Sequence, residues 1–284
     1  MKTRAKSALI MAPLLIIIFL GGYFLIAGVF ILSLLAIREC LNALGEKRPA
    51  GWVMYLSLII LYAGFLLIKL QGLLVTPGTL FMFIMLWVFV SLILSFLSMF
   101  SMHKRDLFQG MATITGIFYI NFLAFHIVLV DTYFVSHPIN QGGLAFSGFS
   151  SYVWVVILAA FGTDIFAYFT GKLFGKKKLC PSISPKKTVE GSIGGVIGSL
   201  ILCGLFGWFF MRDDFPVYII LGIAGSIFAQ IGDLSASVIK RKIDIKDWGT
   251  LIPGHGGILD RIDSILFTAP LVFYFLCVTY MFII

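Results

Sequence analysis

The chain has 284 residues, of which 60% are hydrophobic and 12% charged, and its mean hydropathy of +1.04 lies far above that of soluble domains. A membrane-spanning helix needs about 20 apolar residues, so this length allows about nine spans with short connections and no separate soluble domain. The net charge of +8 would suit a nucleic-acid-binding protein, but cytoplasmic loops of multispanning proteins are also rich in Lys and Arg. The positions of the basic residues along the chain distinguish these two interpretations. The four cysteines stand singly, which argues against a disulfide framework or a zinc site.

The apolar runs predict an all-α polytopic membrane protein with about nine transmembrane helices, which form one membrane domain over residues 1–284. The first run resembles a signal peptide, but it lacks a clear small-residue cleavage site and apolar sequence resumes at Tyr23, which favours an uncleaved span. Gly21 and Gly22 can form a bend there instead of a full turn between spans. The predicted spans are 7–20, 23–42, 51–71, 77–101, 107–130, 149–171, 191–211, 215–239 and 262–283.

The basic residues predict the orientation of these spans. With the amino terminus in the cytoplasm, 19 of the 21 Lys and Arg residues lie at the inner face, and only Lys69 and Arg212 fall outside. This arrangement treats 7–42 as a helical hairpin or re-entrant pair and places the carboxyl terminus outside. The positive charge is thus explained by membrane topology, and no nucleic-acid partner is expected.

Residues 1–148 are predicted to serve mainly as scaffold, and residues 149–284 to carry the catalytic spans and cytoplasmic loops. In the first part, charged residues such as Glu39 and Lys69 lie only near span ends, and the loop 131–148 is interpreted as a plain connection. Asn121 and His126, inside the fifth span, are better explained by interhelical hydrogen bonds than by chemistry.

From the sixth span onward, charge enters the apolar segments. An ionised carboxylate such as Asp164 costs up to roughly 2.5–3.5 kcal/mol at a helix centre. Tyr168, Gly171 and Lys172 follow at helical spacing, so one polar stripe is predicted to face inward. A functional carboxylate and a simple salt bridge to Lys172 both fit this pattern.

The basic loop 175–191 contains two prolines and is too polar to be helical throughout. Its first lysines, Lys176–Lys178, can meet anionic lipid headgroups, whereas Ser184, Lys186 and Lys187 precede a helix amino terminus, which is a natural anion site. The pairs Gly191/Gly195 and Gly194/Gly198 in the next span predict close helix packing.

The last two spans bring acids to the same membrane face. Asp233, Ser237, Lys240 and Arg241 share one helix face, and Asp260 and Asp263 share another. Two carboxylates about 4 Å apart repel by roughly 4 kcal/mol at an effective dielectric near 20. A proton, a basic side chain or a divalent cation must therefore offset this repulsion. A solvated loop whose acids pair with its bases is the simpler alternative.

Oxygen-only ligands favour magnesium over zinc, and a lone His255 does not make a zinc cluster. The metal ligands are predicted to be Asp233 and Asp260, with Asp164 and Asp263 as further candidates. The glycines of this stretch, Gly254, Gly256 and Gly257, would let backbone N–H groups approach a phosphate.

Three motifs in this stretch resemble the signature of the phosphatidate cytidylyltransferase (CDP-diacylglycerol synthase) family. They are Ser237-Val-Ile-Lys240-Arg241, Lys246-Asp247-Trp248-Gly249 and His255-Gly256-Gly257-Ile-Leu-Asp260-Arg261-Ile-Asp263. The upstream Ser184-Pro185-Lys186-Lys187-Thr188-Val-Glu190-Gly191 and Gly232-Asp233-Leu234 fit the same family pattern. The close match covers roughly residues 160–270, and the first half is similar only in being hydrophobic.

The resemblance implies that CTP and phosphatidate react to give CDP-diacylglycerol and pyrophosphate, with Mg²⁺ as cofactor and K⁺ as a possible second ion. It also implies a homodimer among membrane lipids. The active site is predicted to face the cytoplasm, where CTP is found; the membrane is expected to be that of a bacterial cell, with an organellar membrane left open. A CTP-dependent lipid kinase, a cytidylyltransferase for another lipid phosphate and a phospholipid or ion transporter are the alternatives. Catalytic roles are predicted for Asp233, Asp260, Lys240, Arg241 and His255, and substrate binding for Ser184, Lys186, Lys187, Ser237, Lys246, Asp247, Gly256, Gly257, Arg261 and Asp263.

Overall fold

The computed structural model describes residues 16–45, 49–73, 77–100, 107–136, 151–251 and 256–283. Within these ranges, eight helical segments are long and apolar enough to cross a membrane, as expected of a multi-pass integral membrane protein. The helices are α1 (Gly22–Leu44), α2 (Gly51–Leu70), α3 (Pro77–Phe100), α4 (Leu107–Gly116), α5 (Leu123–Ser136), α6 (Ser151–Phe174), α7 (Val189–Phe210), α8 (Phe215–Lys242) and α9 (Leu259–Ile283). A π-helical segment, Ile117–Phe122, joins α4 to α5, and a short 3₁₀ turn, Arg212–Asp214, precedes α8.

The predicted spans from 23–42 onward are confirmed, with ends shifted by a few residues. Most of the predicted first span, 7–20, lies outside the described residues. Its last five residues, 16–20, are described and are helical. Gly21 and Gly22 both have positive φ, 59° and 53°, and the chain bends there as expected. The predicted loop 131–148 begins inside α5, and its remainder from residue 137 lies outside the described part of the chain.

Helix ends from distant parts of the sequence meet at one end of the bundle, which we call the polar end. Here Glu39 of α1 accepts a hydrogen bond from the backbone of Leu259 (2.9 Å), and Lys240 of α8 reaches Asp260 of α9. At the opposite end the hydroxyl of Tyr152, near the start of α6, donates to Asp214 (3.3 Å). The clustered lysines of 172–187 and 240–246 therefore lie at the polar end, in agreement with their predicted placement on one face.

The loop before α7 is not helical, as predicted, and it forms a two-stranded antiparallel sheet, which the sequence analysis did not foresee. Strand β1 (Lys178–Cys180) pairs with β2 (Ser184–Thr188), with Lys178 opposite Thr188. Pro181 and Pro185 exclude a regular helix, and hairpin pairing gives the backbone the hydrogen bonds that a helix would have supplied. Thr188 then caps α7, because its Oγ1 accepts the N–H of Gly191 (3.1 Å).

Interhelical hydrogen bonds account for Asn121 and His126, as predicted. Asn121, in the π-helical segment, donates through Nδ2 to the carbonyl of Met54 (3.0 Å). The Nε2 of His126 lies 3.2 Å from the hydroxyl of Tyr274 in α9. The side chains of Asn121 and His126 thus join helices, which is their ordinary role in a membrane bundle.

The glycines of α7 allow it to pack directly on α6, as the small-residue pairs predicted. A Cβ placed on Gly191 would meet the carbonyl oxygen of Ala167 at 2.8 Å and the Cα of Gly171 at 3.2 Å. On Gly204, farther along α7, the added Cβ would meet side chains alone: the flexible end of Ile219 at 2.8 Å and the ring of Phe215 at 4.0 Å. Backbone atoms cannot move aside as a side chain can. Gly191 should therefore tolerate an added Cβ less well than Gly204 does.

We therefore expect Gly191→Ala to lower the thermal midpoint of the detergent-solubilised protein clearly more than Gly204→Ala. Overpacking of a tight contact costs about 1–3 kcal/mol, whereas the Ile219 side chain can change rotamer. Thermal unfolding of the two variants beside the wild type measures this difference. Equal midpoints would show that the α6–α7 contact is looser than its geometry indicates.

Candidate active site

A cavity of about 520 Å³ opens at the polar end between α6, the β hairpin, α7, α8 and α9. Five acids line it, and they come from four separate segments of the chain. This gathering of carboxyl groups at one end of an apolar bundle was predicted from the sequence for the residues of α8 and α9. The acids are Asp164, Asp233, Asp247, Asp260 and Asp263.

Five basic side chains line the same cavity, so the acids do not create an excess of negative charge. Lys186 and Lys187 come from β2, as expected of an anion site before α7. Lys172 lies on the inward polar stripe of α6 with Tyr168 and Gly171, which confirms that stripe. The remaining two are Lys240 and Arg261.

Asp260 is held by three partners within the protein. Its Oδ1 lies 2.6 Å from the Nζ of Lys240, and the two side chains are only 5% and 10% exposed. Its Oδ2 accepts the backbone N–H groups of Trp248 (2.8 Å) and Gly257 (2.9 Å). In this structure Asp260 therefore orders the start of α9 and the segment before it.

The N–H of Gly257 consequently has an acceptor inside the protein, so in this structure it is not presented to a phosphate as the sequence had suggested. Gly256 and Gly257 instead allow carboxylates to approach the backbone closely. A Cβ on Gly256, which has φ +82°, would lie 2.9 Å from Asp260 Oδ2. One on Gly257 would collide with the Glu39 carboxylate.

Asp233 is the more accessible of the two predicted metal ligands. Its carboxylate forms an ion pair with Lys187 of β2, and the two side chains are 27% and 28% exposed. An ion pair open to the cavity can exchange partners more readily than a buried one, because water and ligands reach it. Asp233 and Lys187 are thus placed to rearrange when an anion or a cation enters.

Asp164 and Asp263 meet through Ser264. The hydroxyl of Ser264 lies 3.4 Å from Asp164 Oδ2 and 3.4 Å from Asp263 Oδ1, and the Ser264 N–H donates to Asp263 (2.8 Å). Asp164 faces the cavity, whereas Asp263 is buried. The salt bridge to Lys172, considered as an alternative for Asp164, is not among the ion pairs of the described residues.

Some predicted site residues are not brought to this cavity. Arg241 is exposed and donates to the carbonyls of Ile183 (3.4 Å) and Ile245 (3.0 Å), so it ties α8 to the hairpin. Lys246 is exposed. Among the described candidates, Ser184, Ser237, Arg241, Lys246, Gly256 and Gly257 are absent from the cavity lining, and His255 lies outside the described residues.

The donor set of the cavity suits a hard cation, although the acids do not form a ready-made metal cage. Within the described ranges, no group of three or more His, Cys, Asp or Glu side chains is close enough together to hold a metal ion. Mg²⁺ is usually bound through one or two carboxylates with substrate phosphates and water completing its shell. Residues such as Asp233 and Asp263 therefore fit Mg²⁺ in the presence of a phosphate substrate.

Sequence reasoning missed two contributions to the polar end. Glu39, assigned to the scaffold, is buried and accepts hydrogen bonds from the backbone of Ile258 and Leu259. Gln230 lines the cavity and donates through Nε2 to the carbonyl of Ser192 (3.3 Å). An acid within an apolar segment was the available signal for Glu39, but its position near a span end made solvent exposure the simpler interpretation.

Comparison with known proteins assigns this architecture to a family. The Cytidylyltransferase family matches residues 2–279. A phosphatidate cytidylyltransferase of Synechocystis is 34% identical in an alignment that covers 91% of this chain and 90% of that protein.

Two further relatives carry the same name and match over a shorter region. The Bacillus subtilis protein is 40% identical over 160 residues, and a Staphylococcus aureus protein is 48% identical over 122 residues. The aligned regions cover 56% and 42% of this chain, and they span about half the length of these two relatives, 57% and 46% respectively.

Proposed function

The chain belongs to the cytidylyltransferase family, and from this membership we propose that it transfers the cytidylyl group of CTP to phosphatidate. The names of its relatives support phosphatidate as the acceptor. The products are CDP-diacylglycerol and pyrophosphate, so the reaction belongs to phospholipid biosynthesis. Within the structure, one observation supports the proposal: a cavity at the polar end is lined by lysines, an arginine and carboxylates.

The cavity is suited to bind phosphate groups. Arg261 lines it, and its Nε is buried with no hydrogen-bond partner among the described residues. A buried donor without an acceptor costs about 1–3 kcal/mol, which an anionic ligand would recover. Lys172, Lys186 and Lys187 line the same cavity and supply further positive charge, so a triphosphate can be held by them together with Arg261.

The lipid substrate can reach the cavity from the side of α6. Ile165 and Phe169 are 52% and 56% exposed, and Tyr168, which lines the cavity, is 62% exposed. In a membrane-spanning helix such residues face lipid or a partner protein. We propose that the headgroup of phosphatidate enters the cavity here while its acyl chains stay in the membrane.

Mg²⁺ is proposed as the cofactor, with Asp233 as a ligand that is open to the cavity and Asp260, Asp263 and Asp164 as the other candidates. When bound, the ion neutralises charge on the phosphates and supplies Lewis-acid stabilisation of the transition state. As a metal ligand, Asp260 would have to share its carboxylate oxygens with the three donors of the protein or release one of them.

The reaction itself needs no protein nucleophile. A phosphate oxygen of phosphatidate attacks the α-phosphorus of CTP in line, the bond from that phosphorus to the bridging oxygen breaks, and pyrophosphate leaves. The role of the protein is to align the two anionic substrates and to offset their repulsion. We assign the triphosphate to Lys186, Lys187 and Arg261, and the ordering of the acids to Lys240.

We propose that the polar end faces the cytoplasm of a bacterial cell. The lysine-rich segments cluster at that end, which agrees with the positive-inside rule, and CTP is a cytoplasmic substrate. The homodimer and the bound K⁺ remain predictions that rest on the family resemblance.

The decisive test measures pyrophosphate release by the purified protein with Mg²⁺, CTP and phosphatidate. We expect release with CTP, poor substitution by ATP, GTP or UTP, and no release after EDTA treatment. Reactions without phosphatidate control for simple hydrolysis of the nucleotide. Pyrophosphate formation independent of phosphatidate, or equal with all four nucleotides, would contradict the proposed reaction.

A further inference from the structure

Glu39 links the first half of the chain to the catalytic end of the second half. It lies near the carboxyl end of α1 and is only 7% exposed. Its Oε1 accepts the backbone N–H of Ile258 and its Oε2 accepts that of Leu259, both at 2.9 Å. These partners lie 219 and 220 residues away in the sequence, so the contact exists only in the folded bundle.

The charge of a carboxylate fits this position. Leu259 begins α9, and the first N–H groups of a helix have no acceptor within it. These groups also form the positive end of the helix dipole, which favours a negative charge. Glu39 therefore satisfies two donors of the turn at which α9 starts, and those donors in turn solvate a buried carboxylate.

The backbone is shaped around the same carboxyl group. A Cβ on Gly249 would lie 2.9 Å from Glu39 Oε1, and one on Gly257 would lie closer still to this carboxyl. A Cβ at either position would force the Glu39 carboxyl group to shift, so the two glycines leave room for its contact with the start of α9. The α1 side chain is enclosed by the segments that lead into α9.

Glu39 and Asp260 hold neighbouring N–H groups of one turn. Asp260 accepts the N–H of Gly257, and Glu39 accepts the N–H groups of the next two residues, Ile258 and Leu259. Asp260 is the second residue of α9 and Asp263 follows at helical spacing, so the position of this turn sets where both carboxylates lie.

We propose that Glu39 is a positioning residue for the cytidylyl transfer: it anchors the start of α9 and thereby fixes Asp260 and Asp263 at the cavity. This inference rests on the proposed function. It assigns part of the active-site architecture to α1, in the half of the chain that the sequence had marked as scaffold.

The test is Glu39→Gln, which preserves size but removes the charge and turns one acceptor into a donor. Asp131→Asn is the matched control, because Asp131 is also buried and its Oδ2 accepts the N–H of Gly22 at the start of α1 (2.9 Å), at the opposite end of the bundle. Both changes weaken a carboxylate contact at a helix start, so both lower the thermal midpoint if the role is structural.

We expect only Glu39→Gln to lower kcat, by about 10- to 100-fold, the range for residues that hold catalytic ligands in place. The KM for CTP should change by less than about threefold, since the cavity lysines are untouched. Activity is measured well below both thermal midpoints. A kcat equal to that of Asp131→Asn would overturn the proposal.

Hydrogen exchange gives a second readout that does not depend on activity. In Glu39→Gln, exchange should accelerate in peptides covering 256–263, while in Asp131→Asn those peptides should exchange as in the wild type. Unchanged exchange at 256–263 in Glu39→Gln would overturn the anchoring role. Failure of the wild-type protein to form pyrophosphate would overturn the proposed function instead, and the exchange measurement would still decide the contact.

Discussion

Replacement of Asp233 by Asn is expected to lower the turnover of phosphatidate by about 10²- to 10³-fold, the loss typical of removing one charge-stabilising group from an active site. Asp233 is partly exposed in the cavity, and its carboxylate is paired with a lysine that is itself partly exposed. The Asn side chain keeps the shape but neither binds a hard cation strongly nor holds the ammonium of Lys187. We expect little change in the thermal midpoint, because the pair is open to solvent.

The matched control is Asp213→Asn, which removes an exposed acid from the 3₁₀ turn at the opposite end of the bundle. Initial rates of pyrophosphate release at saturating CTP compare the two variants, with circular dichroism and the thermal midpoint as checks on folding. The Mg²⁺ concentration for half-maximal rate should rise in Asp233→Asn alone. Near-normal turnover in Asp233→Asn would refute its assignment as a metal ligand.

Replacement of Lys240 by Met is expected to destabilise the protein by about 3–5 kcal/mol, the cost of breaking a buried ion pair from one side. The pair between Lys240 and Asp260 is nearly closed to solvent, with side chains 10% and 5% exposed. Without the ammonium, the Asp260 carboxylate keeps two N–H donors but loses its ion-pair partner among the described residues. The thermal midpoint of the solubilised protein measures the loss, and activity should fall with it because Asp260 is no longer fixed.

Lys242→Met is the control, since Lys242 lies two residues farther along the same helix and is exposed. Its midpoint should stay close to that of the wild type. The double variant Lys240→Met/Asp260→Asn should regain part of the lost stability, because the unpaired charge is gone. If Lys240→Met and Lys242→Met unfold at the same temperature, the buried pair does not stabilise the polar end.

The two ion pairs thus indicate different roles for Asp233 and Asp260. The Lys240–Asp260 pair is buried and fixes the start of α9, whereas the Lys187–Asp233 pair faces the cavity and can exchange partners. The sequence analysis predicted Asp233 and Asp260 as metal ligands without distinguishing them, because both lie near helix ends beside basic residues. Their different burial follows from how α8, α9 and the hairpin pack.

The sequence alone predicted eight of the helices within a few residues, because a run of about 20 apolar residues leaves a membrane helix as the only satisfied backbone conformation. It also predicted that Asp233, Asp260 and Asp263 approach one another, since helical spacing and a short connection bring them to one membrane face. The family signature is likewise local, and a contiguous motif can be recognised without knowing its surroundings.

Only the tertiary structure decided which partner each charged group takes. The pairing of Lys187 with Asp233, the enclosure of Lys240 with Asp260 and the capping of α9 by Glu39 join segments 46, 20 and about 220 residues apart. Such contacts depend on the rotation and depth of each helix in the bundle, which apolar periodicity specifies poorly when helices are hydrophobic on all sides. The hairpin and the role of Glu39 therefore became visible only once the helices were placed against one another.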